Sequence, residues 1–156
     1  MLLPSFSTRV SISDTTISTN RGQINGLYYS SSANVNSIVM TRLLVDNAGN
    51  GIILKQENGS LHAGIIDSVV SHNNFGVSLG GGIYAIIDNS RIVKNYGGFG
   101  IEAGTATAVF LSRSTIFGNE HIGISHSGNV YSYGDNRIHA NAIDISGGSL
   151  ATAITR

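Results

Sequence analysis

The stretch VSHNNFGV at residues 70–77 contains an aliphatic residue, an asparagine three positions later, and then a glycine followed by another aliphatic residue. Related stretches are LVDNAGNGI at 44–52, IVKNYGGFGI at 92–101 and IFGNEHIGI at 116–124. A motif that returns at intervals of roughly 20–50 residues is typical of repeat architectures, in which each unit buries its apolar side against the next. The fold is therefore predicted from this repeat.

The asparagines of the repeat follow one another at steps of 22 to 27 residues. Asparagine tolerates the left-handed backbone conformation that a sharp turn requires. Its side-chain amide also carries both donors and an acceptor, so that amides stacked at one position form a hydrogen-bonded ladder. The predicted ladder consists of Asn20, Asn47, Asn73, Asn95, Asn119 and Asn141.

Two further positions recur with each asparagine. An aliphatic residue lies three positions before it and is expected to fill the core. A glycine–aliphatic pair follows it, and the glycine is expected to allow a second bend or a close approach of the backbone. In the sixth repeat Asp144 and Ile145 replace that pair.

Each repeat holds about three short strands, because Val, Ile, Ser and Thr alternate in steps of two and no stretch keeps a 3.6-residue period. Like residues then stack at the inter-strand spacing of about 4.8 Å. The prediction is an all-β fold, a right-handed parallel β-helix solenoid of about six coils of 22–27 residues. It spans residues 9–149, with an N-terminal cap or tail at 1–8, including Leu2, Leu3 and Phe6, and a C-terminal cap at 150–156, including Leu150 and Ile154.

Composition argues against several functional classes. The 156 residues suit one domain, and nine basic side chains balance nine acidic ones. We therefore expect no nucleic-acid partner, because a nucleic-acid-binding protein needs a basic face. We also expect no membrane insertion, because that needs a long apolar segment. The chain has no cysteine, which removes thiol catalysis and thiolate metal sites. Its histidines follow no metal-ligand spacing, and no cofactor is predicted.

The opening MLLPSFSTRV lacks a basic segment and is interrupted by Pro4, so it makes a poor signal peptide. A cytoplasmic protein, or one secreted by a non-classical route, is expected. The compartment stays open.

Alternation also predicts which side chains face outward. Ile38, Ile86 and Phe110 are predicted to form an exposed apolar stripe, which is a candidate interface for a homo-oligomer or another protein. Unpaired coil ends are a second route to self-association. Exposed tyrosines make polysaccharide a further candidate ligand, whereas Tyr131 and Tyr133 are expected to cap the last coil.

A polysaccharide hydrolase or lyase would need acids clustered on one face. The best candidates are Asp67 and Asp88 on neighbouring coils, but adjacent alternating positions point to opposite sides unless a turn intervenes. No catalytic residue is therefore predicted. The favoured hypothesis is a non-enzymatic β-helix scaffold, which is either structural or binds a surface, a carbohydrate or a protein. The alternative is a carbohydrate-active enzyme, a polysaccharide hydrolase or lyase, that uses acids near Asp67 and Asp88.

The closing stretch VYSYGDNRIHANAIDISGG, residues 130–148, resembles the final coils of bacterial right-handed parallel β-helix repeat proteins of the pectate-lyase-like superfamily. The likeness lies in residues 132–136, Ile138 and Asn141, while Ala140 departs from the expected glycine. The resemblance extends from about residue 9 to the end and implies a fold rather than an activity, because most of that group has none assigned. Members of that group often have additional coils ahead of the matched region, so a shortened form of a longer β-helix is one expectation, which the sequence leaves open.

Overall fold

The computed structural model describes residues 7–20, 24–32 and 35–153. Within those ranges the chain is all-β, without a helix, and its paired strands run parallel. The strands are β1 (Ser7–Ser13), β2 (Thr16–Ser18), β3 (Asn25–Ser31), β4 (Val35–Thr41), β5 (Leu44–Asp46), β6 (Asn50–Ile66), β7 (Val69–Ser71), β8 (Phe75–Asp88), β9 (Arg91–Val93), β10 (Phe99–Ala103), β11 (Ala108–Ser112), β12 (Thr115–Phe117), β13 (Ile122–His126), β14 (Asn129–Ser132), β15 (Arg137–His139), β16 (Ile143–Ser146) and β17 (Ala151–Thr152).

The strands stack into three faces of a solenoid of about six coils. Face 1 contains β1, β4, the last part of β6, the last part of β8, β11, β14 and β17. Face 2 contains the short strands β2, β5, β7, β9, β12 and β15. Face 3 contains β3, the first part of β6, the first part of β8, β10, β13 and β16. The all-β parallel solenoid predicted from the repeat is confirmed.

The core is built from side chains that repeat at one place in every coil. On face 2 the strand register superposes one aliphatic residue per coil, and those of coils 2 to 5 have no exposed surface. Their burial at about 25 cal/mol per Å² is the main favourable term holding one coil to the next. This column consists of Ile17, Val45, Val70, Ile92, Ile116 and Ile138.

Left-handed residues make the two corners that flank face 2. The corner from face 1 to face 2 places Asp14, Arg42, Asp67, Asn89 and Arg113 at φ between 45° and 53°. The corner from face 2 to face 3 does the same with Asn47, His72, Lys94, Gly118 and Ala140 at φ between 51° and 63°. A left-handed conformation costs a non-glycine residue about 1–2 kcal/mol, so the packing of the flanking strands imposes it.

The ends of the solenoid are described only in part. Leu2, Leu3, Phe6 and Ile154, which were predicted to cover the ends, lie outside the described residues. Leu150 is partly buried and packs against the core. In the part of the chain that the structure describes, no helix has the length and apolarity needed to cross a membrane.

Candidate functional site

A buried amide ladder runs along the corner between face 2 and face 3. The Oδ1 atom of Asn95 accepts hydrogen bonds from the backbone N and from the Nδ2 of Asn73, both at 3.1 Å. Asn119 and Asn141 repeat this arrangement in the next two coils, at 2.8–3.1 Å. The side chains of Asn73, Asn95 and Asn119 are at most 1% exposed, so each amide is paired where water does not reach it.

Glycine is required beside the ladder. A Cβ on Gly76 would overlap the carbonyl oxygen of Gly100 and lie 3.0 Å from the Nδ2 of Asn95. In the last coil Asp144 takes the glycine position, and its Oδ1 accepts hydrogen bonds from the N and Nδ2 of Asn141 at 3.1 and 2.9 Å. The replacement noted in the sequence therefore ends the ladder with an acceptor.

Asn47 does not belong to the ladder, and its prediction as a ladder residue is wrong. The register pairs Val45 with Val70, which puts Ala48 at the ladder position of coil 2. The backbone N of Ala48 donates to Asn73 Oδ1 at 2.8 Å, but its side chain has no amide. Asn47 takes the left-handed corner position instead, at φ 56°, and donates from Nδ2 to Asp46.

Asn20 is exposed, and its prediction as part of a continuous ladder is also wrong. Ile17, three residues earlier, pairs with Val45, so Asn20 has the expected place in the register. Because coil 2 supplies Ala48 there, no amide bridges Asn20 to Asn73. The amide ladder runs through coils 3 to 6.

A second ladder lies at the corner between face 1 and face 2. The Oγ of Ser90 accepts from the N of Ser68 at 3.1 Å, and the Oγ of Ser114 accepts from the N of Ser90 at 3.2 Å. Asn136 continues it, because its Oδ1 accepts from the N of Ser114 at 2.8 Å. In coils 3 to 6 the small polar residues two positions before the core aliphatic thus satisfy backbone donors of the coil before them.

The outer side of face 1 carries exposed apolar side chains in neighbouring coils. Its central column places one residue per coil: Ser11, Val39, Gly64, Ile86, Phe110 and Tyr131. We call these six residues, with their neighbours Ile66 and Tyr84, the apolar face. Tyr84 and Ile86 are each 52% exposed.

Ile38 is not on the apolar face, and its prediction as an interface residue is wrong. It is 1% exposed and pairs with the buried Ala63 in an inward column. The outward residue of coil 2 is Val39. The error is the one-residue offset that also misplaced Asn47. Ile86 and Phe110 do face outward, as predicted.

Aromatic rings on the apolar face and beside it stack in two pairs along the solenoid axis. His62 and Tyr84 have ring centroids 5.5 Å apart with 17° between their planes. Phe110 and Tyr131 are 4.9 Å apart with 12° between theirs. Tyr131, expected to cap the last coil, therefore lies on the outer surface. A shallow cavity of about 400 Å³ lies over Gly64, between Val39 and His62 on one side and Ile86 and Phe110 on the other.

The apolar face carries little charge. The column beside its central one reads Arg9, Ser37, His62, Tyr84, Ala108 and Asn129, so its only arginine or lysine is in coil 1. At the edge towards face 2, Asp88 forms an ion pair with Arg113. The charges of Asp88 and Arg113 are therefore paired with each other at the border of the face.

Asp67 and Asp88 occupy different kinds of position. Asp67 is exposed at a left-handed corner, where its Oδ1 accepts from Asn89 Nδ2 at 2.7 Å. Asp88 ends β8, and one of its oxygens is bound by Arg113. Its other oxygen, Oδ1, is buried without a hydrogen-bond partner within the described ranges. Each carboxylate therefore has its own neighbours, and the hydrogen bonds do not join the two.

A polar groove of about 500 Å³ lies at the corner between face 2 and face 3, lined by His72, Lys94, Tyr96, Gly118 and Glu120. The Nδ1 of His72 lies 2.9 Å from Asp46 Oδ1, which also accepts from Ser71 Oγ at 2.9 Å. Across residues 7–20, 24–32 and 35–153, no group of three His, Asp or Glu side chains is arranged to hold a metal ion.

No protein-family model matches this chain, and no curated protein or solved structure matches it.

Proposed function

We propose that this protein is a non-enzymatic β-solenoid scaffold that binds another protein surface through the apolar face. The observation that carries the proposal is the exposed, almost uncharged surface around Ile86, flanked by stacked rings. Exposed apolar patches with aromatic residues and few charges are typical of protein interfaces. The resemblance to bacterial pectate-lyase-like β-helix repeat proteins is compatible with this, because that group mostly has no assigned activity.

A protein partner fits this surface better than a polysaccharide does. A sugar ring stacks on an aromatic ring whose flat side is open. Here Tyr84 turns a flat side to His62, and Phe110 turns one to Tyr131, so that these sides are covered. The most exposed apolar side chain of the central column is the aliphatic Ile86, which fills a hollow in a partner more readily than it orders a sugar.

The proposal is tested by selecting a phage-displayed random peptide library on the wild-type protein. Enriched apolar peptides are expected to lose binding to Ile86→Asp and Phe110→Asp. They should keep binding to Leu44→Asp, which changes an aliphatic residue that is 38% exposed on face 2. Peptides that do not distinguish these variants would contradict the proposal. A glycan array on which binding depends on Tyr84 would replace the protein partner with a carbohydrate.

A carbohydrate-active enzyme using Asp67 and Asp88 is the second candidate. The observation in its favour is the buried Oδ1 of Asp88, which has no hydrogen-bond partner among the described residues. Against it, Asp88 already forms an ion pair with Arg113, and no hydrogen bond joins its carboxylate to that of Asp67. Reducing-sugar release from pectin and alginate is expected to be absent. Release that disappears in Asp88→Asn would establish the enzyme instead.

A further inference from the structure

The apolar face has a size gradient along the solenoid axis. In coils 1 to 3 its central column contains the small residues Ser11, Val39 and Gly64. In coils 4 to 6 the same column contains Ile86, Phe110 and Tyr131. One half of the face is therefore a hollow, and the other half projects. The change occurs between β6 and β8, where Gly64 and Ile86 are directly paired.

We infer that the partner of the apolar face is a second copy of this chain, related by a two-fold axis that lies in the interface, parallel to the strands and between β6 and β8. This inference rests on the proposed function, because it names the partner for the same surface. Such an axis reverses the solenoid direction and keeps the position along each strand. It therefore places Ile86 over the second copy's Gly64 and Phe110 over its Val39.

The same operation matches the remaining rows of the face. Tyr131 meets the second copy's Ser11, so that each of the large residues faces a small one. In the neighbouring column Tyr84 meets the second copy's His62. A two-fold contact uses one patch twice, so such a patch has to contain both its projection and the hollow that receives it. A face made of uniformly large or uniformly small residues would not fit itself in this way.

Charge does not oppose the contact. Under this operation Asp88 faces the second copy's Ile66 at the border, while Arg113 stays beside it. Arg9 faces Asn129. No like charges in the three outward columns of face 1 are therefore brought opposite one another, and the net charge of the whole chain is zero. Association between copies carries little electrostatic penalty.

The size of the face limits the area that the contact can bury. Six strands at about 4.8 Å and five residues at about 3.3 Å each give a projected area of roughly 500 Å² per copy. The total of roughly 1,000 Å² lies at the lower limit for specific interfaces. The dimer is therefore weak, and it forms at high protein concentration.

Light scattering over a concentration series tests whether the partner is a second copy. The wild type is expected to pass from monomer to dimer, and Ile86→Asp to raise the dissociation constant about tenfold or more, because a charge enters the contact. Gly64→Leu is also expected to weaken the dimer by filling the hollow. It should fold, since a Cβ at position 64 meets no atom closer than 3.6 Å. Leu44→Asp should dimerise like the wild type.

Gly64→Leu separates a specific fit from general adhesion of apolar surfaces. An added leucine would strengthen nonspecific adhesion, so a tighter dimer would overturn the inference. A chain that stays monomeric at every concentration would overturn it too. If peptides still bind the apolar face of such a monomer, the proposed function stands and only the second copy is excluded. If peptides also fail to bind, both are excluded.

Cross-linking tests the direction of the two chains. The protein contains no cysteine, so a single introduced cysteine has no competitor. Phe110→Cys mixed with Val39→Cys is expected to give mixed pairs with a short bis-maleimide, because these positions face each other across about 10 Å. Two copies of position 110 would lie roughly 14 Å apart along the axis as well. Preferential 110–110 pairs would overturn the antiparallel arrangement.

Discussion

Coils 3 to 6 turn from face 2 to face 3 over an asparagine that belongs to a continuous amide ladder, whereas coils 1 and 2 turn the same corner over the exposed Asn20 and over Ala48. In the first region each amide satisfies the backbone of the coil before it. In coil 1 of the second region, Ile12 and Ile17 are only partly buried. The comparison indicates that the ladder is a stabilising device of the C-terminal coils and that the solenoid itself does not require it at every turn.

A similar division, shifted by one coil, appears on the outside. The large residues of the apolar face stand on coils 4 to 6, and the small ones on coils 1 to 3. In the proposed dimer, coils 4 to 6 of one copy, which all carry the ladder, therefore cover coils 1 to 3 of the other, two of which lack it. Association would then protect the coils that lack the ladder.

The largest loss of stability is expected from a substitution at the glycine position, where the backbones of adjacent coils approach each other closely beside the ladder. Gly76→Ala should cost about 4 kcal/mol of unfolding free energy or prevent folding, because its Cβ would overlap the carbonyl of Gly100. Chemical denaturation measures the change. Gly80→Ala is the control: a Cβ there has no neighbour within 4 Å, and its effect should stay within about 0.5 kcal/mol. Equal effects would show that the close approach at Gly76 is not tight.

Removing one amide from the ladder is expected to have the next largest effect. Asn95→Ala leaves the buried N of Asn73 without its acceptor and removes one of the two acceptors of Asn73 Nδ2, at a cost of about 3 kcal/mol. Asn47→Gly should cost less than about 1 kcal/mol, because glycine accepts the left-handed conformation. If Asn47→Gly proved the more damaging in urea titrations, the register of coil 2 described above would be incorrect.

The end of the ladder is expected to matter less than its middle. Asp144→Ala removes the acceptor for Asn141, whose side chain is only partly buried, so about 1 kcal/mol should be lost. Asp144→Asn keeps an oxygen at that place and should recover most of the loss. Thermal melting of the two variants checks this. An equal loss in both would mean that the carboxylate acts through its charge.

The smallest effect concerns the coils without a ladder. Arg42 donates to both oxygens of Asp14 at 2.5 and 2.6 Å and holds the pKa of Asp14 below its ordinary value of 3.8. A lowered folded-state pKa adds stability above pH 3.8 that is lost as the pH falls through the folded-state pKa. Both side chains are largely exposed, so the gain is small.

Asp14→Asn should therefore lower the melting temperature slightly at neutral pH. The difference from the wild type should disappear in strong acid, where the carboxylate is protonated. A difference that persisted unchanged at acid pH would show that the substitution disturbs the corner for a reason other than charge.

Much of this fold follows from the sequence, because the aliphatic–asparagine–glycine repeat reflects contacts that recur in each coil. Coil 2 was misread because asparagine suits two neighbouring positions, the left-handed corner and the ladder. Asn47 occupies the left-handed corner, but in the sequence pattern it resembles a ladder residue. The same one-residue offset in coil 2 made Ile38, rather than Val39, the predicted outward residue. The stacked rings, and the step from Gly64 to Ile86, depend on this register. The strand pairing across coils determines both, and the sequence pattern of a single coil does not contain it.

Native-state hydrogen exchange tests most directly the claim that the ladder divides the molecule. At low protein concentration the backbone amides of Asn73, Asn95 and Asn119 are expected to exchange only through global unfolding. The amides of Asp14 and Thr19, which donate to Thr41 and Asp46, should exchange through a smaller local opening. Equal protection of both sets of amides would contradict the claim that coils 3 to 6 are more stable than coils 1 and 2. Faster exchange in coils 3 to 6 would show the opposite order of stability.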